Sequence, residues 1–196
     1  IDLVIDGHSH TEMPGGEVVG ETMIVSTGSY LANVGTVVVD METKEETDDA
    51  RASYTKTEIW PKDKMPDLQQ KQCTPYMEWH MPKELKTKAI QIIYSGGGYG
   101  FNNPDDFEVA PVRRYLNEKG MAVVTLKYRT PRPTSPLAKH TTAWQDLQRT
   151  VRLVRSQAEA RGLDPDRIGI MGSSAGGHLT LMGVTSSMHQ SYLPID

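Results

Sequence analysis

One cysteine, Cys73, occurs among 196 residues, so no disulfide can form within the chain and cysteine usage points to no oxidising compartment. No run approaches the ~20 apolar residues that a membrane-spanning helix requires, and the first residues lack a basic segment followed by an apolar one. Neither a membrane partner nor a signal peptide is therefore expected. Basic residues are not in excess: 21 Lys and Arg against 25 Asp and Glu leave a net charge of -4, and no basic stripe marks a nucleic-acid surface. These absences leave a soluble protein of no indicated compartment, acting on small or neutral molecules.

A chain of this length could hold one ordinary domain, with or without a small appendage, and would bury roughly 70% of its unfolded surface if compact. Its 37% hydrophobic and 23% charged residues, with a mean hydropathy of -0.48, describe a globular rather than a disordered protein. Residues 1–41 read as short β segments, Leu3-Val4-Ile5, Met23-Ile24-Val25 and Thr36-Val37-Val38-Val39, separated by glycine-containing turns. The composition then shifts to Glu, Asp, Lys, Thr and Gln with Pro61 and Pro66, which predicts a solvated linker over 42–73.

From Thr74 onward strands alternate with helices. Ala89 to Tyr94 reads as a strand, Val109 to Glu118 as a helix stopped by Gly120, and Met121 to Leu126 as the next strand. Thr142 to Ala160 places Trp144, Leu147, Val151 and Val154 on one apolar face of a helix that Gly162 ends. A strand from Arg167 to Met171 and a helix from Ala175 to about Ser187 follow. The expected fold is α/β, a mostly parallel sheet with flanking helices over 74–196, preceded by a small β-rich segment.

Between that last strand and helix lies Gly172-Ser173-Ser174-Ala175-Gly176, a G-x-S-x-G sequence in a strand-to-helix context. Such a turn is tight and strained, and small neighbours permit the backbone approach it needs. Ser174 becomes a candidate nucleophile. The backbone N–H of Ala175, at the start of the helix, is a donor placed for an oxyanion. A Gly/Ser-rich turn that only joins strand to helix would share the five residues, and the flanking elements argue against that blander reading. Upstream, Ser95-Gly96-Gly97-Gly98-Tyr99 follows a strand, and Gly97 and Gly98 are the candidate oxyanion donors there.

With Tyr94-Ser95-Gly96-Gly97-Gly98-Tyr99, Leu163-Asp164-Pro165-Asp166-Arg167-Ile168 and Gly172-Ser173-Ser174-Ala175-Gly176-Gly177-His178-Leu179 in view, residues 74–196 resemble the N-terminal half of an α/β-hydrolase of the acetyl-esterase and acetylxylan-esterase-like group. The resemblance implies hydrolysis of esters of small acids, including acetyl groups on carbohydrate. Ser95 stands where the histidine of an HGGG loop is common. In α/β-hydrolases the acid and then the histidine follow the nucleophile, whereas here the only acid after Ser174 is Asp196. Both chain ends read as cut, and a truncated, impaired esterase is the expectation. The candidate general bases are His178, expected to be structural on the helix after the elbow, His140 before the preceding helix, and His189.

A third pattern is Gly7-His8-Ser9-His10-Thr11 after the first β segment. With Thr27-Gly28-Ser29-Tyr30 and Gly35-Thr36-Val37, it resembles the end of a 5′-nucleotidase-like metallophosphoesterase domain. The resemblance implies that His8 and His10 match its last two metal ligands. Two ligands without the upstream ones would hold a divalent metal weakly and adventitiously, and no cofactor is otherwise expected. The three readings are a serine esterase acting on small or carbohydrate esters, a metal-dependent phosphoesterase fragment, and a non-catalytic chimeric fragment that self-associates through an open sheet edge beside Arg167–Met171.

Overall fold

A computed structural model describes residues 3–5, 17–19, 22–25, 56–61, 63–67 and 73–192. The chain divides into two compact units, Ile1–Thr47 and Asp48–Asp196. In the first, β1 (Leu3–Ile5) pairs parallel with β3 (Thr22–Val25), which pairs antiparallel with β2 (Glu17–Val19). The expected segment Thr36–Val39 lies outside the described residues.

The second unit is built on a five-stranded sheet. Its strands are β4 (Lys56–Glu58), β5 (Tyr76–His80), β6 (Ile90–Tyr94), β7 (Ala122–Lys127) and β8 (Ile168–Gly172), in the order β4-β5-β7-β6-β8. β7, β6 and β8 are parallel, and β5 and β4 continue the sheet antiparallel. The helices α1 (Ala110–Glu118), α2 (Thr141–Ala158) and α3 (Ala175–Thr185) follow β6, β7 and β8 in turn.

Strand alternation sorts the core onto two faces. Ile92, Val124 and Leu126 join the large cluster with Leu147 and Val154 of α2 and Leu179 of α3. Ile93 and Val123, one residue out of phase, pack instead with Val109, Val112 and Leu116 around α1. β6 and β7 are thus buried on both faces, which is why their sequences are continuous apolar runs rather than alternating ones, whereas β8 at the sheet margin is only half-buried and exposes Met171.

Within the stretch expected to be a linker, the structure shows packed chain. Lys56–Glu58 pairs with β5, and Ile59 and Trp60 are core residues. Trp60 meets the edge of Tyr192 at 4.8 Å, lies beneath the guanidinium groups of Arg129 and Arg149, and donates its Nε1–H to Asp146 at 2.6 Å. The polar composition reflects the surroundings of this anchor and hides the anchor itself.

β5 is likewise not legible in the sequence, because Glu78 and His80 interrupt its apolar pattern although both are buried. His80 Nε2 and Thr125 Oγ1 of β7 are 2.9 Å apart, and Glu78 Oε2 is 3.8 Å from the same nitrogen. Burial, reinforced by the charge of Arg113, lowers the imidazole from its ordinary 6.5 to about 3. The folded protein therefore keeps His80 neutral at pH values where the unfolded chain binds a proton, and stability falls as pH drops from 6.5 toward 3. Urea midpoints between pH 7 and pH 5 are expected to show a loss of about 2 kcal/mol from this group, and His80→Gln should flatten the slope. An unchanged slope in the variant would remove His80 as its source.

Candidate active site

β6 and β8 are parallel neighbours, and the helices that follow them pack on opposite faces of the sheet. The loops leaving their carboxyl ends diverge, which opens a crevice of the kind in which open α/β sheets bind ligands. One loop carries the glycine triplet and the other carries Ser174.

Ser174 has φ 50° and ψ -118°, a left-handed conformation that is strained for a residue with a side chain and costs on the order of 1–3 kcal/mol. Neighbouring glycines make the turn sterically feasible. A Cβ at Gly172 would lie 2.7 Å from the carbonyl carbon of Gly176, and one at Gly176 would lie 2.8 Å from the Ser95 carbonyl oxygen. The serine is the N-cap of α3 but makes no side-chain capping hydrogen bond, and its side chain is exposed. Ala175 begins the helix immediately after it, in the position of the expected first-turn donor.

The glycine loop lies directly against this turn: a Cβ at Gly96 would sit 2.8 Å from Ser174 Cβ and 2.9 Å from the Ser173 carbonyl oxygen. Gly97 has φ 98° and Gly98 φ 59°. The carbonyl of Gly97 accepts from the N–H of Gly100 at 2.9 Å and of Phe101 at 3.3 Å. The buried Tyr128 hydroxyl donates to the carbonyls of Ser95 at 3.0 Å and Gly96 at 2.9 Å. In a trans peptide the C=O and the following N–H point oppositely, so anchoring the Gly96 carbonyl at Tyr128 turns the Gly97 N–H away from the core. The Gly96 N–H is occupied by Glu108 Oε2 at 2.9 Å.

Two of the three histidines named as bases are brought together here. The rings of His140 and His178 are 5.6 Å apart, and both lie near Tyr99 of the glycine loop. Tyr99 Oη is 2.8 Å from His178 Nδ1, in a hydrogen bond whose direction follows the imidazole tautomer. Burial pushes Tyr99 up to about 12, so the phenol stays protonated, and burial together with His178 lowers His140. Among the described residues no hydrogen bond joins the Ser174 hydroxyl to an imidazole. His189 lies beyond the far end of α3, stacked on Trp144 at 5.6 Å with its carbonyl accepting from Gln148. An 11-residue helix separates it from Ser174, roughly 16 Å at 1.5 Å per residue, so the structure does not bring it to the elbow.

A cleft of about 370 Å³ opens beside the loop, lined by Gly98, Tyr99, Pro131, Arg132, Leu137 and Lys139 among others. His8 and His10, the candidate metal ligands, fall outside the described residues. Among the described residues no group of three or more His, Cys, Asp and Glu could hold a metal ion, and no helix is long and apolar enough to cross a membrane. Sequence reasoning missed Glu108 and Tyr128, whose contacts with the loop and the elbow are long-range and leave no spacing signature.

A mixed sheet with this elbow and this loop defines the α/β-hydrolase class to which esterases belong. Residues 77–193 match the BD-FAE family, and the chain belongs to it. It is 32% identical over 112 residues to an acetylxylan esterase from Xylanibacter ruminicola, covering 56% of this chain and 22% of that protein. It is 29% identical over 119 residues to a probable carboxylic ester hydrolase, LipM, from Mycobacterium tuberculosis, covering 59% of this chain and 26% of that one. Among solved structures it resembles an acetyl ester-xyloside bifunctional hydrolase from Caldicellulosiruptor lactoaceticus, with a TM-score of 0.54 and 30% identity over 67% of this chain and 47% of that one. The fold is shared with an esterase from Thermogutta terrifontis, at a TM-score of 0.54 and 23% identity, covering 68% of this chain and 45% of that one. The chain thus spans about a quarter of the length of these two curated relatives and about half that of the solved structures.

Proposed function

We propose that this chain carries the nucleophile and the oxyanion site of a serine carboxylic-ester hydrolase that acts on small or carbohydrate-borne esters. The reading rests on one observation above all, the strained Ser174 held between β8 and α3 with Gly96 packed against it. In the proposed reaction Ser174 Oγ attacks the ester carbonyl, its proton passes to an imidazole acting as general base, and the alcohol leaves as the acyl-enzyme forms. Water then releases the acid. Negative charge on the carbonyl oxygen is held by the N–H groups of Gly97, Gly98 and Ala175, and one such donor is worth about 3 kcal/mol in the transition state. The carbohydrate-ester preference draws support from the acetylxylan esterase relative and from the adjoining cleft.

A fluorophosphonate probe, read by peptide mass spectrometry, is expected to modify Ser174 and no other serine, and Ser174→Ala should abolish the adduct. Absence of an adduct, or an adduct elsewhere, would end the proposal.

A further inference from the structure

We infer that Glu108 is a positioning residue for ester hydrolysis, a carboxylate clamp that holds the oxyanion loop in register with the nucleophile turn; the inference rests on the Ser174 acyl-enzyme reading. A single oxygen, Oε2, accepts from the Gly96 N–H at 2.9 Å and from the Ser173 hydroxyl at 2.5 Å. The first donor belongs to the loop after β6 and the second to the turn after β8, so one atom ties together the two segments that must cooperate.

Glu108 is itself well held. Its own N–H and that of Val109 donate to Asp106 Oδ1 at 3.0 and 3.2 Å, and Val109 is fully buried with Ile93 and Val123. The backbone carrying the clamp is therefore fixed to the sheet from below. Both bonds favour the ionised carboxylate, and they hold its pKa below the usual glutamate value, the Ser173 bond first and the Gly96 bond second. Charge-assisted bonds of this kind are shorter and about twice as strong as neutral ones.

The clamp has two consequences. It occupies the Gly96 N–H, which leaves Gly97 and Gly98 as the loop's donors. It also fixes the distance between those donors and Ser174, where a displacement of 1 Å can cost on the order of 10²-fold in rate. A carboxylate facing the developing oxyanion would oppose it, so Glu108 acts through the loop and the turn, not on the substrate.

The test compares wild type, Glu108→Ala, Glu108→Gln and Ser173→Ala in the intact protein, by steady-state ester hydrolysis, fluorophosphonate labelling and amide hydrogen exchange at Gly96. Glu108→Ala is expected to lower kcat and the labelling rate about 10- to 100-fold with KM within about threefold, and to speed exchange at Gly96. Glu108→Gln, whose amide oxygen keeps the acceptor, should recover most of the loss, and Ser173→Ala should fall between. If Glu108→Ala keeps wild-type kcat, or if Glu108→Gln is as poor as alanine, the clamp is wrong. A merely structural role would reduce the folded fraction while sparing kcat per labelled site, and that result also overturns it. Wild type that shows slow Gly96 exchange but no labelling would instead refute the esterase reading and leave the clamp geometry standing.

Discussion

Asp146→Ala is expected to lower unfolding stability by about 3–5 kcal/mol. Asp146 is fully buried, and its two carboxylate oxygens accept from Trp60 Nε1, from the Arg129 backbone N–H, and from the Arg129 guanidinium. Arg129 is equally buried and also donates to the Pro66 carbonyl, to Thr142 and to Gln145. Removing the carboxylate strands a cation and an indole N–H in a fully buried site, so the cost is the lost pairing plus the uncompensated burial. The double replacement Arg129→Met with Asp146→Leu should cost clearly less than the sum of the single changes, since it removes both charges together. Urea denaturation midpoints decide it: a loss below about 1 kcal/mol for Asp146→Ala would mean that the pair does not anchor 56–67 to α2.

Gly97→Ala is expected to reduce kcat/KM for esters by about 10²–10³, the scale of losing an oxyanion donor. Two independent effects oppose the methyl group: φ is 98°, a region that side chains avoid, and the new Cβ would lie 2.2 Å from the Phe101 carbonyl oxygen. The loop would have to open, carrying the Gly97 and Gly98 N–H groups with it. Gly100→Ala is the internal control, because its nearest neighbour would be the Gly97 carbonyl oxygen at an ordinary 3.6 Å. Kinetics on both variants with thermal melts alongside separate the outcomes. Equal activity in the two would show that the triplet's conformation is irrelevant to turnover.

Much of this site is local in the chain and therefore readable from it. The apolar runs at 90–94, 122–127 and 168–172 announce parallel strands, and glycine and serine at fixed offsets from Ser174 announce the strained turn. The helix at 141–158 is legible too, but the face it buries is only partly the apolar one. Leu147 and Val154 are buried as expected, Trp144 and Val151 only half so, while Gln145, Asp146 and Arg149 lie within the protein. Their burial depends on partners remote in sequence, among them Trp60 and the Ile59 carbonyl, which accepts from Arg149 at 2.9 Å. No window of residues contains that information. For the same reason Trp60 is hidden in a polar stretch, and Glu108 reveals its contact with Ser173 only once the sheet has formed.

Of the described strands of the main sheet, the one that leads into the Ser174 turn is also an outermost one, bonded to β6 on one side. Its position is set by half the lateral restraint that an interior strand enjoys. Whatever comes to lie along its other flank, from this polypeptide or from another, has leverage on where the serine stands.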